Sequence, residues 1–124
     1  MLFETRYFWA LFTENDTGYV NRLHVVFERS KRKVVSSVTI YEVHKLTLEN
    51  EGETVAQLRV NTIKRDFEVI DVNSSIAEEG ARIAHRTRNP MADSLIMATA
   101  KELRLPCVTD DPHYEHDDIK TVWI

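Results

Sequence analysis

Acidic side chains flank one helix-and-strand unit near the end of the chain. In the segment from Ala92 to Tyr114, Asp93 falls on the first turn of a predicted helix, and Asp110-Asp111 follows the strand that comes next. Because the connection between this helix and strand is short, both acidic groups are expected at the same edge of a sheet. Carboxylates gathered at one edge repel one another unless a cation lies among them. The spacing therefore favours a metal-dependent hydrolase, and the rest of the chain must supply the remaining ligands.

The composition is that of one small α/β enzyme domain covering residues 1–124. With 43% hydrophobic residues, the chain of 124 can bury one core, and a net charge of −4 provides no basic field for nucleic acid. A bound divalent ion would reverse the local sign at an acidic site, so RNA stays a candidate partner. Cys107, within an apolar run, is expected to be a buried strand thiol. The absence of a signal peptide or an apolar run long enough to span a bilayer predicts a cytoplasmic protein without a membrane partner.

Hydrophobic periodicity predicts short strands that alternate with helices. The predicted strands are 1–3, 33–38, 67–72, 106–109 and 121–124. The predicted helices are 6–14, 17–30, one beginning at 39, 53–64, 73–86 and one beginning at 90. Helical connections of this length imply parallel pairing, and ligands of such sheets collect at the carboxyl ends of the strands. Glu4, Asp93 and Asp110-Asp111 lie at or beside such ends, and Glu42 lies one turn into the helix that follows a strand.

Each acidic residue also has a purely structural interpretation. Glu42 could complete a capping box with Thr39, and Asp93 could complement a helix macrodipole. Asp111, which precedes a proline, could cap a helix, and Glu4 could be a solvated surface residue. None of these four interpretations requires the carboxylates to lie at the same edge of the sheet. The metal-site hypothesis requires all four carboxylates to lie there.

Two further segments carry weaker signals. In the tail from Asp110 to Asp118, His113 and His116 are three residues apart among aspartates, a pattern that could hold zinc. A solvated acidic tail is the favoured interpretation, because no third histidine and no cysteine ligand is nearby. The aromatic residues of the first helix are expected mainly in the core, with a dimer surface as the alternative. They are Tyr7, Phe8, Trp9 and Phe12.

These acidic positions resemble the PIN domain, in particular the small VapC-like toxins of toxin–antitoxin pairs. The resemblance covers essentially the whole chain and rests on Glu4-Thr5, Glu42, Asp93 and Thr109-Asp110-Asp111. In PIN domains an aspartate and a hydroxyl residue end the first strand. A glutamate follows the second strand, an aspartate opens a later helix, and a Thr-x-Asp follows the fourth strand. Asp111 matches the last aspartate of this pattern. Glu4 departs from it, because the family usually has aspartate there.

The resemblance implies a three-layer α/β/α fold with a mainly parallel sheet of four to five strands. It also implies an endoribonuclease that uses Mg²⁺ or Mn²⁺, a small antitoxin partner and a homodimer. The implied ligands are Glu4, Glu42, Asp93 and Asp111. Thr5, Thr109 and Asp110 would orient the ligands from outside. Basic contacts to RNA would come from Arg6, Arg82 and Arg86, with Arg88 as a further candidate.

Two other functions compete with the nuclease. One is a PIN-fold module that has lost catalysis through the change at Glu4 but still binds RNA or protein. The other is a phosphate-accepting signalling domain, which has a similar length and pattern. That class resembles a chain with an acidic pair closing the first strand, whereas Glu4 stands alone there.

Overall fold

Five short strands form one parallel sheet in the computed structural model, which describes residues 1–115 and 119–124. The strands are β1 (Leu2–Phe3), β2 (Val34–Ser36), β3 (Glu68–Ile70), β4 (Cys107–Val108) and β5 (Thr121–Val122). Their order is β3-β2-β1-β4-β5, and every pairing is parallel. The chain therefore builds outward from β1 to β3 and then crosses to the other side of β1. This reversal leaves a crevice between the carboxyl ends of β1 and β4, the position where such sheets bind ligands.

Helices make the connections between the first four strands. They are α1 (Thr5–Thr13), α2 (Thr17–Arg29), α3 (Ser37–Glu51), α4 (Glu53–Asp66), α5 (Ser74–Thr87) and α6 (Met91–Leu103). A 3₁₀ helix, Pro112–Glu115, follows β4. The predicted three-layer architecture around a parallel sheet is confirmed. The order β3-β2-β1-β4-β5 differs from the 2-1-3-4-5 order of phosphate-accepting receivers, which removes that alternative.

Alternating residues of the strands pack into two hydrophobic cores, one on each face of the sheet. Leu2 packs with Ile76, Ile83 and Ile96 from the α5–α6 hairpin. The next residue, Phe3, packs on the other face with side chains of α1 to α4. Successive side chains on a strand point to opposite faces, so even a two-residue strand contributes to both layers. Cys107 belongs to the α5–α6 core, and its thiol is buried as predicted.

The start of α3 was predicted two residues too late. The Ser36 hydroxyl accepts a hydrogen bond of 3.1 Å from the Val38 N–H, so β2 ends at Ser36 and the helix begins at Ser37. Thr39 and Glu42 consequently lie inside the helix, and the capping-box interpretation of this pair is wrong. The helix predicted at 17–30 runs from Thr17 to Arg29, and Asp16 caps it by accepting a hydrogen bond from the Tyr19 N–H.

The aromatic side chains of α1 divide between core and surface. Tyr7 and Phe8 are fully buried, and their rings pack edge to face at a centroid distance of 5.4 Å. Trp9 and Phe12 are half-buried. The core interpretation is therefore confirmed for the first two residues. Within the described residues, no helix has both the length and the apolar character needed to cross a membrane.

Candidate metal centre

Glu4 is a buried carboxylate at the carboxyl end of β1. Its residue is 2% exposed, so the interpretation as a solvated surface residue is wrong. Glu4 also caps α1, because its Oε2 accepts a hydrogen bond of 3.0 Å from the Arg6 N–H. Its second oxygen, Oε1, is buried and has no hydrogen-bond partner among the residues that the structure describes. An acceptor left without a partner inside a protein costs free energy, and a bound cation or a proton would offset that cost.

Burial and the neighbouring charges disfavour the ionised form of Glu4. Burial raises the pKa of Glu4 to about 7, and the negative charges of Asp111 and Asp93 add to the rise. The Arg6 N–H and the Thr109 side chain oppose the rise through hydrogen bonds. Glu4 therefore lies close enough to both aspartates to feel their charge, as expected for groups that share one cation.

Asp93, Asp111 and His113 form a compact trio beside Glu4. Asp93 lies on the first turn of α6, and Asp111 follows β4 in the crevice. The His113 Nδ1 is 3.2 Å from Asp93 Oδ2 and 3.3 Å from Asp111 Oδ1. One ligand atom from each of the three residues lies within 4.8 Å of the other two. This spacing allows all three side chains to contact a single ion.

The turn after β4 explains how the trio is assembled. The Asp111 Oδ1 accepts a hydrogen bond of 2.9 Å from the His113 N–H, which caps the 3₁₀ helix. The Asp111 N–H donates in turn to Thr109 Oγ1 at 3.0 Å. Thr109 thus fixes the backbone of Asp111, and the capped turn brings the His113 ring back toward α6. The capping interpretation of Asp111 is correct, and the same carboxylate belongs to the acidic cluster.

Glu42 lies at the margin of this cluster. Its Oε1 accepts a hydrogen bond of 2.5 Å from the Thr5 hydroxyl, which also lies 3.2 Å from Thr39 Oγ1. Burial raises the pKa of Glu42, and the charge of Asp93 raises it further. Burial and the Asp111 charge likewise raise the pKa of Asp93, against the effect of His113 and Tyr114. Four carboxylates of this edge are thus linked by mutual repulsion.

Of the four carboxylates predicted as ligands, Asp93 and Asp111 belong to the compact trio. Glu4 lies within range of the charges of both aspartates, and Glu42 lies within range of the charge of Asp93. Thr5 donates to Glu42, and Thr109 accepts from the Asp111 N–H. The predicted basic residues lie differently. The Arg6 Nε pairs with Asp110 Oδ1 at 2.5 Å beside the cluster. Arg82 and Arg86 lie along α5 and contact Glu79, at 3.1 and 3.8 Å.

Sequence reasoning missed two residues of the site, His113 and Tyr114. His113 was assigned to a solvated tail, and its proposed companions His116, Asp117 and Asp118 lie outside the described residues. Tyr114 is fully buried, and its hydroxyl lies 3.4 Å from Asp93 Oδ1. The dipeptide Asp111-Pro112 carried a usable signal, because an aspartate that caps a short helix returns the next residues toward it.

The donor atoms suit a divalent cation. Carboxylate oxygens are the ligands that Mg²⁺ and Mn²⁺ prefer, and an imidazole extends the choice toward transition metals. The buried, unpaired Oε1 of Glu4 is the observation that a cation would explain most simply. The protein is thus an α/β protein with a parallel sheet and a cluster of acidic side chains at the switch point of that sheet.

The family follows from comparison with known proteins. A family model for the PIN domain matches residues 1–119, and the chain belongs to the PIN-domain family, a family of nucleases. No curated protein matches this sequence significantly.

Solved structures with the same fold come from toxin–antitoxin systems. VapBC2 from Rickettsia felis, bound to a promoter DNA fragment, is 13% identical with a TM-score of 0.79, over 98% of this chain and 96% of that one. A toxin–antitoxin complex from Klebsiella pneumoniae is 20% identical with a TM-score of 0.75, over 98% and 94%. The sarcin–ricin loop cleaving toxin VapC20 from Mycobacterium tuberculosis is 15% identical with a TM-score of 0.73, over 93% of each chain. At these identities the likeness concerns the fold.

Proposed function

We propose that this protein is a divalent-metal-dependent endoribonuclease that acts as the toxin of a toxin–antitoxin pair. Membership of the PIN family supports a nuclease, and the toxin–antitoxin systems among its structural neighbours support the toxin role. The observation that carries the metal dependence is the buried, unpaired Oε1 of Glu4 beside Asp93 and Asp111. We propose further that residues 1–124 act as one domain in the cytoplasm.

The roles of the side chains follow from their positions. Glu4, Asp93 and Asp111 would hold Mg²⁺ or Mn²⁺, with Glu42 acting directly or through water. A divalent ion at this position would supply an activated water and positive charge at the scissile phosphate. Thr5 orients Glu42, and Thr109 orients the backbone of Asp111. These contacts hold the acceptors before any cation arrives.

RNA needs positive contacts near the site, and Arg6 is the best placed. Its side chain is 57% exposed and pairs with Asp110, which adjoins Asp111. A phosphate that displaced Asp110 would keep the guanidinium satisfied, because arginine binds phosphate and carboxylate with the same geometry. Arg82 and Arg86 on α5 would contact more distant parts of the strand.

A homodimer is the proposed state of the protein, and a face built by α3, α5 and α6 is its proposed interface. Tyr41 and Met91 are 64% and 76% exposed there. Two apolar grooves with volumes of about 390 and 380 Å³ share Val72, Met91 and Leu95. Exposed apolar surface of this kind marks an interaction site. A partner is needed to cover it, whereas Tyr7 and Phe8 of α1 are already covered by the core.

The nuclease proposal is tested with a fluorescent single-stranded RNA and purified protein in Mn²⁺, Mg²⁺ or EDTA. The wild type should cleave only with a divalent ion. Water that attacks the phosphorus and displaces the 3′ oxygen leaves a 5′-phosphate and a 3′-hydroxyl, and these are the expected product ends. Products that end in a 2′,3′-cyclic phosphate would reveal a contaminating metal-independent ribonuclease. Equal rates in EDTA and Mn²⁺, or no cleavage of any RNA, would contradict the proposal.

A PIN-fold binding module with weakened catalysis is the second candidate. It is favoured by Glu4, where one oxygen is already engaged by the Arg6 N–H and where the family usually has the shorter aspartate. Glu4→Asp separates the two candidates. If the backbone suits glutamate, the shorter side chain will not reach the ion, and cleavage will fall. A rise in cleavage with Glu4→Asp would favour the weakened module, and Glu4→Gln should reduce both metal binding and cleavage in either case.

A further inference from the structure

A groove with aromatic walls opens directly beside the acidic site. Its volume is about 420 Å³, and its lining includes Trp9, Tyr19 and Trp123 together with Thr5, Arg6 and Asp110. Arg6 and Thr5 immediately follow Glu4, and Asp110 immediately precedes Asp111. The groove and the carboxylate cluster are therefore contiguous along the start of α1 and along the segment that follows β4.

The aromatic walls come from three separate parts of the chain, and the rings of Trp9 and Tyr19 each lie against an arginine guanidinium. Trp9 lies on α1, Tyr19 on α2, and Trp123 follows β5. The Arg59 guanidinium lies 5.8 Å from the centre of the Trp9 ring, and its ion pair with Glu51 fixes that guanidinium. Rings that are fixed before binding lose little conformational entropy when a ligand stacks on them.

The charges of the groove favour a nucleobase over a phosphate. Asp110 and Glu14 both line it, and the charge of Arg6 is balanced by its bond to Asp110. A phosphate could reach Arg6 only by displacing Asp110, and elsewhere in the groove it would face the carboxylates of Asp110 and Glu14. A base is flat and uncharged, and its edge can bond to carboxylate or hydroxyl oxygens while its face contacts the rings.

We propose that this groove binds a nucleobase of single-stranded RNA, next to the phosphate that the acidic site would receive. The proposal rests on the nuclease function proposed above and adds that the substrate is unpaired at this nucleotide, because an unpaired base enters the groove without the free-energy cost of unpairing and unstacking that a duplex base would carry. The structure thereby assigns substrate selection to Trp9 and Trp123.

The composition provides a direct probe, because Trp9 and Trp123 are the only two tryptophans in the chain. All tryptophan fluorescence therefore originates from this groove. Hexauridylate and hexaadenylate are titrated into the protein in EDTA, which prevents metal-dependent cleavage, while tryptophan emission is recorded. An abasic ribose-phosphate hexamer serves as the control for phosphate binding. At least one of the two oligonucleotides should quench the emission saturably, and the abasic hexamer should not.

Variants assign the effect to the rings. Trp9→Leu should weaken RNA binding, measured by anisotropy of a labelled hexamer, by roughly tenfold, and Trp9→Phe should restore most of it. Leu58→Ala, an exposed apolar position on α4, should leave affinity unchanged. Equal affinities in Trp9→Leu and the wild type would overturn the proposal. Emission unchanged by every RNA would also overturn it, and quenching by an apolar peptide alone would give the groove to a protein segment instead.

This test and the nuclease test can fail separately. Quenching by RNA without metal-dependent cleavage would support the base-binding groove and contradict the nuclease. Cleavage by a protein whose tryptophans do not respond to RNA would contradict the groove and leave the nuclease standing.

Discussion

Glu4 and Glu79 are two glutamates in opposite electrostatic surroundings. Glu79 on α5 contacts Lys101 at 2.9 Å and Arg82 at 3.1 Å, and these partners lower its pKa. Glu4 faces aspartates, keeps one oxygen unpaired and has its pKa raised to about 7. The same side chain is thus balanced by the protein in one place and left for a cation in the other. Burial and missing countercharge, more than the presence of acidic residues, mark the functional site.

The largest contrast is expected in catalysis. Asp111→Asn removes a proposed metal ligand. Loss of a residue that only hydrogen-bonds to a metal ligand lowers activity by about 10- to 100-fold, so loss of a ligand should lower cleavage by more than about 100-fold. Glu79→Gln is the matched control and should cleave RNA at the wild-type rate. Initial rates on a labelled RNA in Mn²⁺ measure both. A slow Glu79→Gln or a normal Asp111→Asn would erase the distinction between the two regions.

The second contrast concerns stability against pH without metal. Glu4 has a folded pKa above its ordinary value of 4.5, so its contribution is fully present below about pH 4.5 and is lost as pH rises through about 7. Between these pH values the wild type should lose about 3 kcal/mol of unfolding free energy. Glu4→Gln cannot ionise at this position and should not show this loss. Glu79, with a lowered pKa, should lose stability in the opposite direction, as pH falls below its ordinary value.

Urea unfolding of the wild type, Glu4→Gln and Glu79→Gln between pH 3 and pH 8 measures this contrast, because the Glu4 effect falls above pH 4.5 and the Glu79 effect below it. The difference between wild type and Glu4→Gln should change across that range. A constant difference would mean that Glu4 ionises normally and that its burial does not create a demand for a cation.

The third contrast is in the response to metal. A divalent ion that binds only the folded state stabilises it by about 2.7 kcal/mol at 100 times Kd. Mn²⁺ should therefore raise the Tm of the wild type and of Glu79→Gln, and should raise that of Asp93→Asn much less. Asp93→Asn should also melt slightly higher than the wild type without metal, because one repelling charge is gone. Thermal melts that respond equally in all three proteins would argue against the site.

The smallest effect is expected from Tyr114, whose hydroxyl lies 3.4 Å from Asp93 Oδ1. Tyr114→Phe should weaken Mn²⁺ binding a few-fold, about 1 kcal/mol, by releasing one oxygen of Asp93. Tyr7→Phe is the matched control, since the buried Tyr7 hydroxyl donates to the Leu23 carbonyl at 2.9 Å, away from the acidic site. Equal losses of affinity in the two variants would point to a general effect on folding.

The sequence predicted what depends on periodicity and order along the chain. Alternating strands and helices gave the parallel sheet, and parallel pairing alone brought Glu4, Glu42, Asp93 and Asp111 to one edge. Boundaries were less certain, because several hydroxyl residues compete to cap a helix: Ser36 caps α3, although Thr39 with Glu42 has the capping pattern.

What the sequence could not provide was the local pairing of charges. Arg6 and Arg82 looked alike as RNA contacts, but their partners, Asp110 and Glu79, are determined by tertiary packing. His113 entered the site through a capped turn that sequence spacing did not reveal. The unpaired oxygen of Glu4 depends on what surrounds it in three dimensions, so no pattern of residues could have identified it.

Direct binding of Mn²⁺ tests the central claim, that the edge holding Glu4, Asp93 and Asp111 is a cation site. Free Mn²⁺ is measured from its solution electron paramagnetic resonance signal as protein is added. The wild type and Glu79→Gln should remove Mn²⁺ from solution with the same affinity, and Asp93→Asn and Asp111→Asn should bind it far more weakly. Identical titrations for all four proteins would contradict the claim.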